Sequence, residues 1–285
     1  MPRNHRDKRC ASSPYWTSGP GAGVLVDGMK PREALDLWIP ALPPMGSCTR
    51  GDRVVLKMLE ICSGGCSVSR AAAQEAREQG HEVEVFSIDG KPGAGATKVV
   101  DILTWDWAND AELLTFRADT PEEGVTCIYY AHASPPCGPY STMASRYRGP
   151  LAERDLRWGD SVAQRCLELI QWFAPDFWTI ESRGPPGLDS RAFMRSLEPM
   201  RSTVTYCSYG WNRYKPTSIW TNVTWKPEPR CLCRLGSCCE HYREHGRHLD
   251  KVQGAKKSSP DFAALPEQLV RAWTHAALVE LLGEV

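Results

Sequence analysis

Apolar segments of strand length alternate with helical patterns through the middle of the chain. Residues 54–61, 82–88 and 126–131 are rich in apolar side chains, as buried strands are. Apolar residues at helical spacing predict helices over 69–79 and 161–173. Strands that alternate with helices predict an α/β fold, with a mostly parallel sheet covered by helices on both faces.

The same pattern continues toward the C-terminus. Residues 177–180, 204–208 and 218–221 are predicted strands, and 266–282 is a predicted helix whose apolar face should pack back onto the core. The sequence has no run of about 18 apolar residues and no signal-peptide pattern near residue 1. We therefore expect a soluble, intracellular protein that does not bind membranes, located in the nucleus if its host is a eukaryote.

Composition and pattern together divide the chain into four parts. Residues 1–52 are rich in proline and glycine, and we expect a largely disordered leader with a short helix near 33–38. Residues 53–222 carry the α/β pattern. Residues 223–260 form a small lobe rich in cysteine and histidine, and 261–285 supply a final helix that completes the main domain.

Charge becomes informative only when it is read locally. The whole chain has 34 basic and 34 acidic residues, which does not favour nucleic-acid binding. Residues 226–257, however, hold eight basic and four acidic side chains. This excess predicts phosphate contact, although an ordinary solvated lobe would have the same composition.

A glycine-containing loop follows the first predicted strand. Gly64 and Gly65 come directly after residues 54–61, and Asp89 ends the next strand. Glycines at this place let the backbone approach a ligand, and an acid after the second strand can bind ribose hydroxyls. A tight structural turn would need the same glycines. Asp101 could similarly accept from an adenine amino group or simply cap a short helix.

Cys137 lies in a proline-stiffened loop at the end of a predicted strand. The segment reads Ser134-Pro135-Pro136-Cys137, and the next strand leads to Glu181. Ligands of α/β sheets bind at this edge, so the thiol is a candidate nucleophile or metal ligand. Glu181 by itself could equally be a solvated loop residue.

Five segments in order resemble motifs of the cytosine carbon-5 DNA methyltransferase family, in particular its compact members from phages and algal viruses. The segments are 59–67, 101–106, 134–137, 177–181 and 215–222. The resemblance covers roughly residues 54–283. It implies a Rossmann-like methyltransferase fold with a mostly parallel seven-stranded sheet, S-adenosylmethionine as the cofactor and DNA as the substrate.

The resemblance also assigns roles to residues. Cys137 would be the nucleophile that adds to carbon 6 of cytosine, and Glu181 would bind the ring nitrogen and amine. The implied cofactor-binding residues are Cys62, Ser63, Gly64, Ser67, Asp89, Asp101, Ile102 and Pro135. The implied substrate-binding residues are Ser141, Arg146, Arg148, Arg183, Lys215 and Thr217. Only a thiolate reacts, so Cys137 is expected to have a lowered pKa, with Arg183, Arg146 and Arg148 as the candidate cations.

Three departures from the family pattern keep other functions open. Cys66 stands where the family usually has glycine, and Ser182-Arg183 replaces the usual Asn-Pro or Asn-Val after the glutamate. No clear Gln-x-Arg-x-Arg strand is present. An RNA cytosine methyltransferase and an inactive nucleic-acid-binding relative are therefore the alternatives.

The twelve cysteines do not form the pattern of a disulfide framework. Those in apolar stretches, namely Cys62, Cys127, Cys166 and Cys207, are expected to be small core side chains. Four others cluster near several histidines in the C-terminal lobe. Tetrahedral zinc bound by Cys231, Cys233, Cys238 and His241 is one hypothesis, and free thiols are the other.

Overall fold

A seven-stranded sheet organises the described part of the chain. A computed structural model describes residues 53–118, 124–141, 155–232, 239–246, 248 and 264–283. The leader expected at 1–52, with its short helix at 33–38, lies outside these residues, as does part of the C-terminal lobe.

The strand order places the ends of four strands at one edge. The strands are β1 (Arg53–Ile61), β2 (Glu82–Asp89), β3 (Lys98–Val99), β4 (Val125–Ala133), β5 (Phe177–Arg183), β6 (Arg201–Thr205) and β7 (Pro216–Thr221). Their order is β3-β2-β1-β4-β5-β7-β6, and β7 runs antiparallel to both of its neighbours. The remaining pairings are parallel, so the loops after β1, β2, β4 and β5 lie along one edge of the sheet. Ligands of α/β sheets bind at this edge.

Helices cover both faces of the sheet. The helices are α1 (Ser67–Glu78), α2 (Ala111–Ala118), α3 (Arg157–Phe173), α4 (Glu240–His245) and α5 (Glu267–Leu282). Helices α1 and α5 pack together on one face, and α3 packs on the other. Strand β1 shows why two layers form, because Leu56 and Met58 face α1 and α5 while Leu59 and Ile61 face α3.

The two faces are filled by large side chains. Trp178, Trp220 and Trp273 are among the largest fully buried residues of the described chain. Helix α5 is also tied to α1 by charge, since Arg271 Nε donates to Glu75 Oε2 at 2.8 Å. The C-terminal helix therefore completes the core, as its apolar face predicts.

The predicted α/β architecture with a mostly parallel sheet is confirmed. Most element boundaries differ by one to four residues, and the differences in β5 and β6 affect the site. Strand β5 continues through Glu181 to Arg183, because β7 pairs with it along these residues. The strand expected at 204–208 is β6, which ends at Thr205, and Tyr206–Tyr209 forms a 3₁₀ turn. Gly210 closes that turn with a φ of 80°, a conformation that favours glycine. None of the described helices combines the length and apolar character that a bilayer crossing requires.

Candidate active site at the carboxyl edge of the sheet

The loop after β1 has an unusual backbone. Cys62, Gly64 and Cys66 have φ values of 56°, 52° and 54°, in the left-handed region that L side chains rarely adopt. Cys66 occupies this conformation directly before α1 and without a side-chain cap. Its thiol lies 3.6 Å from the Gly95 carbonyl oxygen. The backbone at position 66 is therefore of a kind that suits glycine.

Asp89 holds this loop in place. The Gly64 N–H donates to Asp89 Oδ2 at 2.8 Å, and the Lys91 N–H donates to Oδ1 at 2.7 Å. Each carboxylate oxygen can accept a second hydrogen bond. A Cβ at Gly64 would meet no atom within 4 Å, so open space lies beside the loop.

Two predicted cofactor-binding serines differ in their contacts. The buried Ser63 hydroxyl has no hydrogen-bond partner in the described structure, which is costly unless a ligand supplies one. The Ser67 hydroxyl instead accepts from the Leu265 N–H at 3.2 Å, so it joins the start of α1 to the segment before α5.

Asp101 makes the contact that a local cap would make. Its Oδ1 accepts from the Leu103 N–H at 3.0 Å, inside a turn that follows β3. No helix spans 103–107, and a short 3₁₀ segment begins at Trp107 instead. Asp101 is exposed, and Ile102 is buried in the core on the α3 face.

A buried hydrogen-bond chain supports the loop that carries Cys137. His132 Nε2 lies 2.8 Å from Ser134 Oγ, and His132 Nδ1 lies 2.7 Å from Thr179 Oγ1 on β5. Thr179 Oγ1 also lies 2.7 Å from the Tyr130 hydroxyl. This hydroxyl accepts a hydrogen bond from Trp273 Nε1 of α5 at 3.1 Å. Burial lowers the pKa of His132 to about 3, so this imidazole is neutral and links the loop to two other elements.

Glu181 is a buried carboxylate with two polar neighbours. The Tyr206 hydroxyl donates to Glu181 Oε1 at 3.1 Å, and Lys215 Nζ lies 3.3 Å from the same oxygen. Lys215 also donates to the Tyr206 hydroxyl at 3.1 Å. Burial lowers the pKa of Lys215, but Glu181 and the neighbouring groups outweigh this and raise it. Lys215 therefore stays positively charged inside the site.

Cys137 lies within electrostatic reach of this group. Burial raises the pKa of the Cys137 thiol, and Glu181 raises it further, while Lys215 and Arg183 oppose the shift. The expected net lowering of the pKa is therefore absent, because the loss of hydration outweighs the two cations. Arg183 lowers the pKa of Cys137, as expected.

Four of the predicted substrate-binding residues, Ser141, Arg183, Lys215 and Thr217, are connected by hydrogen bonds or strand pairing. Arg183 Nη1 donates to Ser141 Oγ at 2.7 Å, which connects the end of β5 to the loop after Cys137. Thr217 pairs with Arg183 across β5 and β7, and its hydroxyl donates to the Lys215 carbonyl oxygen at 3.3 Å. Pro135 is buried at the start of the loop. The predicted contacts of Arg146 and Arg148 lie outside the described residues.

Sequence reasoning missed Tyr206. It lies in a segment predicted to be a strand, where nothing marks it as different from its neighbours. Only the turn that ends β6 brings its hydroxyl to Glu181, 25 positions earlier in the chain.

A group of cysteine and histidine side chains lies beside this turn. The possible ligand atoms of Cys207, Cys231, Cys239 and His248 all lie within 4.8 Å of one another, and the three cysteines are buried. Such a group could hold a metal ion. Of the four predicted ligands, Cys231 belongs to the group and His241 does not, while Cys233 and Cys238 lie outside the described residues.

Cys207 is buried, as expected of a core thiol, and it also belongs to this group. The residue follows β6 in the 3₁₀ turn, which carries its side chain out of the sheet and toward the lobe.

Comparison with protein-family models and with curated proteins gave no match to the chain.

Proposed function

We propose that the protein is an S-adenosylmethionine-dependent methyltransferase that methylates carbon 5 of cytosine in DNA. One observation carries the proposal. At the carboxyl edge of the sheet, Cys137 lies within electrostatic reach of the paired Glu181 and Lys215, and the Cys137 loop leaves β4 next to the glycine loop that leaves β1. The Ser134 N–H donates to the Ile61 carbonyl oxygen at 3.1 Å, which joins the starts of the two loops.

The strand order supports a Rossmann-like methyltransferase fold. A parallel sheet whose β7 is inserted antiparallel between β5 and β6 agrees with the fold that the sequence resemblance implies. Nucleoside cofactors of such sheets bind across the loops after the first two strands.

The residues beside β1 and β2 fit the cofactor. Ser63 offers a buried hydroxyl that needs a partner, Gly64 leaves open space, and Asp89 has lone pairs for ribose hydroxyls. Asp101 and Ile102 would complete the adenine end. When bound, S-adenosylmethionine supplies an electrophilic methyl group.

Cys137 prepares the cytosine ring. Carbon 5 of cytosine is a weak nucleophile, and addition of the Cys137 thiolate to carbon 6 gives an enamine-like ring whose carbon 5 is reactive. Loss of the carbon 5 proton to a base later expels the thiolate, so Cys137 is regenerated. A cytosine within a duplex must leave the base stack to reach the loop.

Glu181 stabilises the charge that develops on the ring. Its carboxyl would accept from the exocyclic amine and share a proton with the ring nitrogen, which gains negative charge as the thiolate adds, while Tyr206 and Lys215 hold the carboxyl in place. When cytosine takes up part of the negative charge of Glu181, that glutamate raises the pKa of Cys137 less. Lys215 and Arg183 continue to lower this pKa and so favour the thiolate. Substrate binding would then help to ionise the nucleophile.

The lobe offers contacts for the DNA backbone. Lys226, Arg230 and Arg243 are exposed, and each belongs to the basic segment 226–257. Phosphate contacts of this kind are independent of sequence and weaken with salt.

The direct test is transfer of a radiolabelled methyl group from S-adenosylmethionine to duplex DNA by the full chain. We expect labelled 5-methylcytosine, at least a 1000-fold lower rate for Cys137→Ser, and a near-normal rate for Cys127→Ser, a matched change on β4. A duplex containing 5-fluorocytosine cannot lose its carbon 5 substituent. It should therefore trap the wild-type protein covalently and leave Cys137→Ser untrapped.

Other outcomes would change the proposal in defined ways. Label in RNA but not in DNA would reassign the substrate and keep the chemistry. Cofactor binding without transfer to either nucleic acid would identify an inactive binding protein. Transfer that survives in Cys137→Ser would remove Cys137 from the mechanism.

A further inference from the structure

The cysteine and histidine group connects two parts of the chain that are separate in sequence. Cys207 lies in the turn after β6, and Cys231 lies in the segment that follows β7. Cys239 directly precedes α4, and His248 follows that helix by three residues. Cys239 Sγ and His248 Nε2 are 3.2 Å apart. Three buried cysteine sulfurs and one imidazole nitrogen, a ligand set that suits zinc, therefore lie close together.

We propose that Cys207, Cys231, Cys239 and His248 bind a structural zinc ion in tetrahedral geometry. Zn–S bonds of about 2.3 Å and a Zn–N bond of about 2.0 Å would separate neighbouring ligand atoms by about 3.5 to 3.8 Å. The observed limit of 4.8 Å among the four atoms is close to this, so small side-chain movements complete the site. With all four positions filled by protein, no position remains for a catalytic water.

In the chain whose cysteines are all reduced, binding would exchange protons for metal. Each of the three thiols loses its proton, the neutral imidazole keeps one ring N–H, and the complex of Zn²⁺ with three thiolates has a net charge of −1. Backbone donors already point at the sulfurs. The Cys239 N–H lies 3.1 Å from Cys231 Sγ, and the Tyr242 N–H lies 3.4 Å from Cys239 Sγ. Such donors stabilise metal-bound thiolates.

The site would fix the lobe to a wall of the candidate active site. Cys207 directly follows Tyr206, whose hydroxyl contacts Glu181. Other contacts tie the same two segments, since the Cys231 N–H donates to Thr205 Oγ1 and Ser208 Oγ donates to the Pro229 carbonyl oxygen, both at 2.9 Å. Zinc would thus hold the 3₁₀ turn in the position from which Tyr206 reaches the glutamate.

An oxidised form of the site would compete with zinc. The structure gives Cys231 a disulfide bond. Zinc and this disulfide exclude each other, because a sulfur in a disulfide is a poor zinc ligand. The zinc form is therefore the state of the fully reduced chain, with all twelve thiols present.

The experiment measures metal and thiols in the full chain, purified under reducing conditions. We expect about one zinc per chain by elemental analysis, and twelve thiols after denaturation and removal of the metal. Cys207→Ser and His248→Gln should each lower bound zinc at least tenfold. His241→Gln is the matched control, because His241 lies on α4 outside the group, and it should keep its zinc.

A second measurement does not depend on variants that fold. Wild-type protein loaded with Co²⁺ should show the intense visible bands of a tetrahedral ion and strong thiolate charge-transfer absorption. Reduced protein that binds neither metal would overturn the proposal. Full zinc in His248→Gln together with its loss in His241→Gln would overturn the ligand assignment. None of these readouts depends on methyl transfer, so they stand or fall apart from the proposed activity.

Discussion

Glu60 is a buried carboxyl in β1, two residues before the loop at the candidate cofactor site begins at Cys62. Its Oε2 accepts from the Ser69 N–H at 3.2 Å. Burial raises its pKa from 4.5 to about 7, although the hydrogen bonds to Ser69 oppose the shift. An acid whose pKa is higher in the folded state binds more protons there than in the unfolded chain. Its stabilising contribution is therefore complete below pH 4.5 and is lost as the pH rises through about 7.

We expect Glu60→Gln to be more stable than the wild-type protein at pH 8, and to lose most of that advantage at pH 5. The neutral amide keeps an oxygen for the Ser69 N–H and has no charge to bury. The raised pKa of Glu60 corresponds to a change on the order of 3 kcal/mol in the stability advantage of Glu60→Gln between the two pH values. Urea unfolding without cofactor at both values measures it. Glu168→Gln on the exposed side of α3 should show no such dependence, and an equal effect in both variants would contradict the assignment to Glu60.

Among the elements, the short turn after β6 does most to shape the site. A strand through 204–208 would have pointed successive side chains to opposite faces. The 3₁₀ turn instead directs Tyr206 to Glu181 and Cys207 to the lobe. One departure from the expected strand therefore supplies both a partner for the glutamate and a ligand for the proposed zinc.

Tyr206→Phe tests this turn. Because it removes a hydrogen bond to a charged group, worth about 1.5 to 3 kcal/mol, we expect kcat to fall roughly 10- to 100-fold. The KM for S-adenosylmethionine should stay unchanged, since Tyr206 lies on the glutamate side of the site. Tyr209→Phe is the control in the same turn, because its hydroxyl accepts from the Glu228 N–H instead. Equal losses in the two variants would indicate a general effect on the turn.

At the scale of the whole molecule, α5 completes the core by packing on strands that lie far from it in the sequence. Trp273 is fully buried, stacks on His132 at 6.0 Å and donates to Tyr130. The last helix thus supports, through His132, the loop that carries Cys137. Trp273 therefore contributes both to the packing of the core and to the support of the Cys137 loop.

We expect Trp273→Ala to lower the free energy of unfolding by about 3 to 5 kcal/mol, because it leaves a large cavity between α5 and the sheet. Trp158→Ala on α3 removes a side chain that is 38% exposed and should cost less than about 1 kcal/mol. Chemical denaturation monitored by far-UV circular dichroism compares them. A similar small loss in both would show that α5 is not part of the cooperative core.

The sequence by itself determined the alternation of strands and helices, and with it the edge of the sheet where Cys137, Glu181 and Asp89 lie. Apolar periodicity and short motifs are local, so they can be read without a structure. Tertiary structure alone decided the contacts of Tyr206 with Glu181, of His132 with Thr179, and of Cys207 with the lobe. These contacts join residues far apart in the chain, and they depend on how strand order and one short turn place buried polar groups that need partners.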